Sequence, residues 1–250
     1  MTSHFSSIGF PVSTTGDLAD LAQRVAEDTQ DHEVHAGRYL QWADASGAEL
    51  WLQVDPDDEL IGMAPHFRGP ARLDVGLTAR VHRDDDTVLD GAFHGWADPE
   101  GEVADSGLYP FVFDAPDFRR HASLSTPAVV AVQVAAFAHE VRLFASLAAF
   151  EDSERDVVRF ASQAFVPSGL FGVTSAAGPP EALALITGHV VATERKQNAL
   201  SRRWFRWALV ESLGGPFDVV IDEDLLTDAP TVGGVVQGSF WLSGRIESGY

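Results

Sequence analysis

The 250-residue sequence contains no cysteine, and lysine occurs only once, at Lys196. The absence of cysteine excludes disulfide bonds, thiolate metal ligands and a cysteine nucleophile, and it fits a reducing compartment. Basic residues are few: 17 Lys and Arg stand against 37 Asp and Glu, which gives a net charge of −20. A field of this sign repels nucleic acid and anionic membranes, so we expect neither as a general partner.

Long apolar runs are also missing. The longest apolar-rich stretch, residues 127–138, is interrupted by Gln133 and is too short to span a bilayer. The first twelve residues lack the basic segment and apolar run of a secretory signal. We therefore expect a soluble, cytoplasmic protein without a membrane partner, and the bias towards arginine and alanine favours a bacterial genome of high GC content.

The common catalytic and cofactor-binding motifs are absent. The sequence contains no HExxH, GxSxG, Walker loop or GxGxxG, and its nine histidines are scattered. The acidic runs at 55–60, 84–86 and 222–224 are typical of solvated turns. We assign no metal, cofactor or catalytic residue, and the sequence favours a binding protein over an enzyme without excluding the enzyme.

Residues 1–66 predict a strand, a helix and a hairpin. A short extended run over 5–12 precedes "TTGD", where Thr14 and Asp17 form a capping box that begins a helix ending near Glu27. The stretch "GRYLQWADASGAELWLQVD", residues 37–55, then alternates as two strands around "ASG".

This alternation gives the hairpin two different faces. An apolar face, expected to pack on the helix, carries Leu40, Trp42, Leu50, Leu52 and Val54. The opposite face carries Tyr39, Gln41, Glu49, Trp51 and Gln53. Its two aromatic rings are too many for an ordinary solvent face, so we expect a cover, either a ligand or, as the favoured interpretation, protein. The candidate binding residues on this face are Tyr39, Gln41, Glu49 and Trp51.

The order strand, helix, hairpin, with "GAELW" after the turn, resembles one half-module of the vicinal oxygen chelate (glyoxalase-like) families over residues 1–60. The resemblance implies a metal-dependent enzyme with Glu49 as a carboxylate ligand and a histidine on the first strand. Ser7 occupies the position of that histidine. His4 lies three residues before it, so in a regular strand its side chain would point to the opposite face. No second half-module of the same form follows in the sequence. The metal-dependent enzyme is kept as a second candidate function.

The middle of the chain predicts strands followed by helices. Residues 70–116 form a β-rich segment, and residues 127–165 are predicted as helices because Val130, Val134, Phe137 and Val141 share a helical spacing after Pro127. Residues 166–181 are rich in Gly, Pro and Ser and are the predicted linker. Residues 1–165 are therefore predicted to form an α+β domain.

Residues 182–250 resemble an OB-like β-barrel of four or five strands, with glycines at bends. Alternation predicts Phe205, Trp207 and Leu209 inside the barrel, with Trp204 and Arg206 outside. This segment also echoes the middle of the chain, with "LTARV" beside "ITGHV" and "YPFVFD" beside "GPFDVVID". The echoes indicate either a repeated β unit or two unrelated meanders.

The whole chain is thus predicted as an α+β protein with three parts: the strand-helix-hairpin unit, a β-rich middle closed by helices, and the C-terminal barrel.

A basic and aromatic stretch, "RKQNALSRRWFRW" at 195–207, contains no acidic residue. Its candidate binding residues are Arg195, Lys196, Arg202, Arg203, Trp204 and Arg206. On a barrel, this composition suits single-stranded nucleic acid, but it also suits an acidic protein partner or the acidic remainder of the chain itself. The favoured function is a binding or protein-interaction role, through a protein partner or self-association. Three further candidates are a glyoxalase-like enzyme, a structural subunit of a larger assembly, and an OB-fold nucleic-acid binder, which the acidic charge disfavours.

Overall fold

The computed structural model describes residues 4–153, 161–170 and 178–247. These residues form two α-helices, α1 (Thr15–Val25) and α2 (Leu147–Ser153), and thirteen strands in two sheets. The fold is therefore mixed α and β, with strand predominating. No helix in the described ranges is long and apolar enough to cross a membrane.

The first sheet is antiparallel, with its strands in chain order. Its members are β1 (Gln30–Val34), β2 (Gly37–Ala43), β3 (Ala48–Val54) and β4 (Leu60–Phe67). The predicted capping box of α1 is confirmed, because the Asp17 N–H donates to Thr14 Oγ1 at 3.1 Å and the Thr14 N–H donates to the Asp17 carboxylate at 2.8 Å. Such a box satisfies backbone donors that the first helical turn leaves unpaired.

The predicted strand over residues 5–12 is wrong. Ser6–Ile8 form a 3₁₀ helix, which ends at Gly9 with φ of 86°. A Cβ atom at this glycine would lie 2.9 Å from the Asn198 side chain, so a larger residue meets both a left-handed backbone and a close neighbour. The N-terminal unit thus lacks the first strand that its resemblance to the glyoxalase-like module required.

The hairpin of β2 and β3 is confirmed, together with its two faces. Leu40 lies opposite Leu52, and Trp42 lies opposite Leu50, as the alternation predicts. Trp42, Leu50 and Leu52 share a hydrophobic cluster with Leu21 and Val25 of α1. The other face of the hairpin is buried as well, so β3 is covered on both sides.

The second sheet contains nine strands. They are β5 (Leu73–Val81), β6 (Ala92–Ala97), β7 (Tyr109–Asp114), β8 (Ala128–Phe144), β9 (Ala164–Val166), β10 (Leu183–Gln197), β11 (Trp204–Ser212), β12 (Gly215–Asp222) and β13 (Val235–Ile246). β8 and β13 pair antiparallel from Val132 to Phe144, forming a central ribbon. Strands β5, β6 and β7 connect the two sides of this ribbon into one closed ring, and β10, β11 and β12 connect them into a second.

The two rings have the same pairing pattern. In each, three antiparallel strands are followed by a fourth that returns beside the first, which makes β5–β8 the counterpart of β10–β13. The third strand of each set pairs parallel with the fourth strand of the other set. The segments that echo each other in the sequence occupy corresponding strands, which supports the interpretation as a repeated β unit.

The helices predicted over 127–165 are wrong for Ala128–Phe144, which form strand β8. A strand paired on both edges and buried on both faces is a nearly continuous apolar run, which period alone does not distinguish from a buried helix. Helix α2 begins only at Leu147, and β9 follows at Ala164. The part of the predicted helical segment over 154–160 lies outside the described residues.

The predicted C-terminal OB-like barrel is not confirmed as a unit of residues 182–250, because the second ring also contains β8, which lies before residue 182. The predicted interior of β11 is also off by one residue. Ala208 and Val210 join the core of the rings, whereas Phe205 and Trp207 face the first sheet and pack on Phe67. The predicted boundary at 166–181 stays a prediction, and residues 171–177 lie outside the described residues.

Candidate functional site

The polar face of the hairpin is covered by protein, as expected. Tyr39 donates its hydroxyl hydrogen to the Leu89 carbonyl at 2.7 Å and accepts the Arg119 backbone N–H at 3.0 Å. Gln41 lies within 3.0 Å of the His32 ring, which in turn stacks on Trp51. Tyr39, Trp51 and Leu89 form a small buried cluster of their own. The two aromatic rings of this face are therefore occupied by contacts within the protein.

Glu49, the candidate ligand that the glyoxalase-like resemblance implies, is fully buried and held by cations. Trp51 donates its indole N–H to the Glu49 carboxylate at 3.0 Å, Arg245 approaches it to 3.2 Å, and Arg68 approaches to 3.4 Å. The Arg245 guanidinium also lies over the Trp51 ring, 4.8 Å from its centroid. Ser7 lies on the N-terminal 3₁₀ helix. In the described part of the chain, no group of three acidic or histidine side chains is arranged to hold a metal ion.

A second buried carboxylate, Asp117, joins the same group of charges. His121 lies 3.3 Å from it, Arg120 lies 3.4 Å from it, and Arg245 Nε lies 3.8 Å from it. Burial by itself would raise the pKa of Asp117, but the His121 hydrogen bond and the surrounding positive charges hold that pKa below its usual value. Arg245 therefore contacts two buried anions, a role that only the fold reveals.

A chain of buried polar side chains runs through the ribbon from β13 to β11. Gln133 Oε1 lies 2.8 Å from His66 Nε2, and Gln133 Nε2 donates a hydrogen bond to Asp218 at 2.8 Å. Since Gln133 Oε1 only accepts, His66 Nε2 carries the hydrogen, and Nδ1 accepts from Ser243 at 2.8 Å. Burial, followed by the positive charge of Arg245, lowers the pKa of His66 to about 3, so the ring is neutral at pH 7.

Each ring also contains a largely buried aspartate that accepts an indole N–H. Trp207 donates to Asp218 at 2.8 Å, and Trp241 donates to Asp114 at 2.6 Å. Asp114 additionally pairs with Arg83 at 2.7 Å. Burial raises the pKa of both carboxyl groups. The hydrogen-bonding groups of both aspartates are therefore engaged by side chains inside the protein.

The basic stretch is largely paired with acidic residues from elsewhere in the chain. Arg195 makes two hydrogen bonds of 2.7 Å to Glu223, and Arg206 reaches the same carboxylate at 3.1 Å. Lys196 pairs with Glu194 at 2.9 Å and lies over the Trp207 ring. Three of the five candidate cations are thus engaged within the protein, which is the contact with the acidic remainder that the sequence allowed.

The remaining candidate residues, Arg202, Arg203 and Trp204, lie together at the end of the β10–β11 hairpin, and we call them the hairpin-tip patch. Both arginines are exposed, and neither has an ion-pair partner within the residues that the structure describes. Trp204 is 42% exposed. Its ring lies 4.5 Å from the Arg195 guanidinium, so one face is packed and the other faces solvent.

The loop that carries this patch is fixed by a buried asparagine. Asn198 accepts the backbone N–H groups of Leu200 and Ser201, each at 3.0 Å, and donates to the Ile8 carbonyl at 3.0 Å. Ser201 donates its hydroxyl to the Gly9 carbonyl. The patch lines a cleft of about 320 Å³ together with Asp222, Glu223 and Asp224.

Sequence reasoning missed the buried polar groups that organise the interior. Of these groups, only Gln133 could be recognised in the sequence, because a polar residue inside an apolar run indicates a buried, hydrogen-bonded position. Arg245 and Asp218 left none, since their partners are remote in sequence. No protein-family model, curated protein or solved structure matches this chain, so the site rests on its own geometry.

Proposed function

We propose that this chain is a non-catalytic binding protein that contacts an acidic segment of a partner protein through the hairpin-tip patch. The observation that carries the proposal is the pair Arg202 and Arg203, exposed and without ion-pair partners in the described ranges, beside the half-exposed ring of Trp204. Arginine and tryptophan are the residues that dominate binding energy at protein interfaces.

Rigidity of the loop supports this role. The backbone of the tip is fixed before any partner arrives, because Asn198 and Ser201 tie it to the N-terminal segment. The Trp204 ring is likewise fixed against Arg195. A preorganised surface loses little conformational entropy on association, so more of the contact energy becomes affinity.

Charge favours an acidic protein over nucleic acid. In a chain of net charge −20, two unpaired arginines are a local exception that attracts carboxylates. A phosphate backbone carries a charge on every nucleotide and would meet Asp222 and Asp224 in the same cleft, whereas an acidic protein segment can place single carboxylates on the two arginines. The OB-like nucleic-acid binder is therefore the weaker proposal.

A glyoxalase-like metal site at Glu49 has less support, because a metal ion would have to displace two arginines and a tryptophan from a fully buried carboxylate. A structural subunit, or self-association through the hairpin-tip patch, is compatible with the arrangement. Light scattering of the purified chain separates these outcomes from a monomer that binds a different protein.

The test is fluorescence anisotropy with a fluorescein-labelled peptide of glutamate and leucine, at about 0.15 M salt, where long-range attraction is screened. We expect saturable binding to the native chain, weakened by about tenfold or more in Arg202→Glu/Arg203→Glu. The control variant is Arg142→Glu on β8, which should keep the affinity. Equal affinity in the tip variant, or stronger binding of an oligothymidylate of the same length, would overturn the proposal.

A further inference from the structure

A second cleft, of about 330 Å³, lies where the segment after β4 crosses the end of the β8–β13 ribbon. Its lining residues are Arg68, Arg72, Gln133, Arg245, Ile246 and Glu247. Gln133 is 3% exposed and is fixed at both ends by the buried polar chain. The cleft therefore has a rigid polar wall, and three guanidinium groups surround it.

Three arginines and one glutamate line this cleft, although each arginine also has an acidic partner. Arg72 pairs with Glu247 at 2.6 Å, while Arg68 and Arg245 share the carboxylate of Glu49 behind the wall. Glu247 is the one acidic residue among the residues that line the cleft. Three guanidinium groups thus line a cleft that contains a single carboxylate of its own.

Donor capacity remains on these arginines. The Arg68 side chain is 57% exposed and touches Glu49 only at 3.4 Å. The Arg72 side chain is 43% exposed and uses Nε on Glu247 and Nη1 on the Gly69 and Ala71 carbonyls, which leaves its Nη2 for a ligand. The Nε of Arg245 is buried beside Asp117, at 3.8 Å, and does not face the cleft as a free donor. A guanidinium group has five N–H donors in a planar fork, which suits two oxygens of one anion.

We infer that this cleft binds a small oxyanion, presented as the carboxylate or phosphoryl group of a small molecule, with Arg68 and Arg72 as the direct contacts. Arg245 fixes the wall of the cleft through its contacts with Glu49 and Asp117. The cleft volume falls in the range of small-molecule sites, and its residues are separate from the hairpin-tip patch. This inference is independent of the proposed protein-binding role.

Titration calorimetry and amide NMR of the full chain test it, with inorganic phosphate and succinate as separate probes at constant ionic strength. We expect saturable binding of at least one probe, with shifts concentrated at residues 68–72 and 245–247. Arg68→Gln/Arg72→Gln should weaken that affinity by about tenfold. Arg203→Gln removes a similar exposed charge from the hairpin tip and should change nothing, and thermal unfolding verifies that each variant is folded.

Tighter binding of phosphate identifies a phosphoryl ligand, and tighter binding of succinate identifies a carboxylate. If neither probe saturates the native chain, or if the double variant binds as well as the native chain, the inference is wrong. Shifts spread evenly over surface arginines, including Arg203, would equally contradict a defined site.

Discussion

Arg245 and Glu49 meet at 3.2 Å between the first sheet and the central ribbon, although they lie 196 positions apart along the chain. Glu49 is fully buried, whereas Arg245 retains 24% of its side-chain exposure. Glu49 therefore depends on Arg245 to compensate its charge more than Arg245 depends on Glu49, because solvent reaches only the arginine. This contact joins the N-terminal unit to β13.

The first prediction follows from that inequality. Arg245→Gln leaves Glu49 and Asp117 buried with fewer cations, and we expect it to lower the free energy of unfolding by about 3 kcal/mol. Glu49→Gln removes the partner of Arg68 and one of the two anions beside Arg245, both of which solvent reaches, and should cost about half as much. Urea unfolding curves of both variants provide the measurement, and a larger loss in Glu49→Gln would show that the buried carboxylate is not the sensitive partner.

The second prediction concerns pH. His66 has a pKa of about 3 in the folded protein against 6.5 in the unfolded chain, so the unfolded state binds more protons as the pH falls. Stability should decrease from about pH 6.5 towards pH 3, by up to about 1.4 kcal/mol per pH unit. The raised pKa values of Asp114 and Asp218 act in the opposite direction, because the folded state then takes up protons above pH 3.8.

The variant His66→Gln isolates the histidine contribution. Between pH 7 and pH 5, the native chain should lose about 2 kcal/mol more unfolding free energy than the variant loses. His4, whose pKa burial and the nearby His139 lower to about 4, adds a similar loss in both proteins and so cancels from the comparison. Parallel pH profiles for the two proteins would mean that His66 is not held neutral by the fold.

The third prediction tests the rigidity of the hairpin tip. Asn198→Ala leaves two backbone N–H groups and the Ile8 carbonyl without their partner, and it should cost about 2 to 3 kcal/mol of unfolding free energy. Gln197→Ala removes one exposed hydrogen bond to the Arg202 carbonyl and should cost less than about 1 kcal/mol. Chemical unfolding of the pair checks this order, and equal losses would contradict the account of the loop.

Local features could be predicted from the sequence because their signals are local. The Thr14 capping box and the β2–β3 hairpin depend on residues that are close in the chain, and both are present. The echo between the middle and last segments also corresponds to a repeated strand pattern. Strand alternation and the two aromatic residues indicated a cover, with protein favoured over a ligand, on the face that carries Tyr39 and Trp51.

Features set by distant pairing could not be predicted. β8 has a helical spacing of apolar residues, but its environment, with partners on both edges and both faces, determines that it is a strand. Both faces of β11 are covered by protein, fully at Ala208 and Val210 and half at Trp207 and Leu209, so alternation could not tell which side lies inside the ring. Arg195 and Arg206 resemble free cations in the sequence because Glu223, their partner, follows a separate strand.

The most direct test of the protein-binding role is the indole N–H resonance of Trp204, assigned by its loss in Trp204→Phe, during a titration with the acidic peptide. The chain has six tryptophans, of which Trp51 is buried and bonded to Glu49 and serves as the internal reference. The account predicts that the Trp204 signal shifts and saturates together with the Arg202 and Arg203 Nε signals, while Trp51 stays in place. An unmoved Trp204 signal at saturating peptide would contradict it.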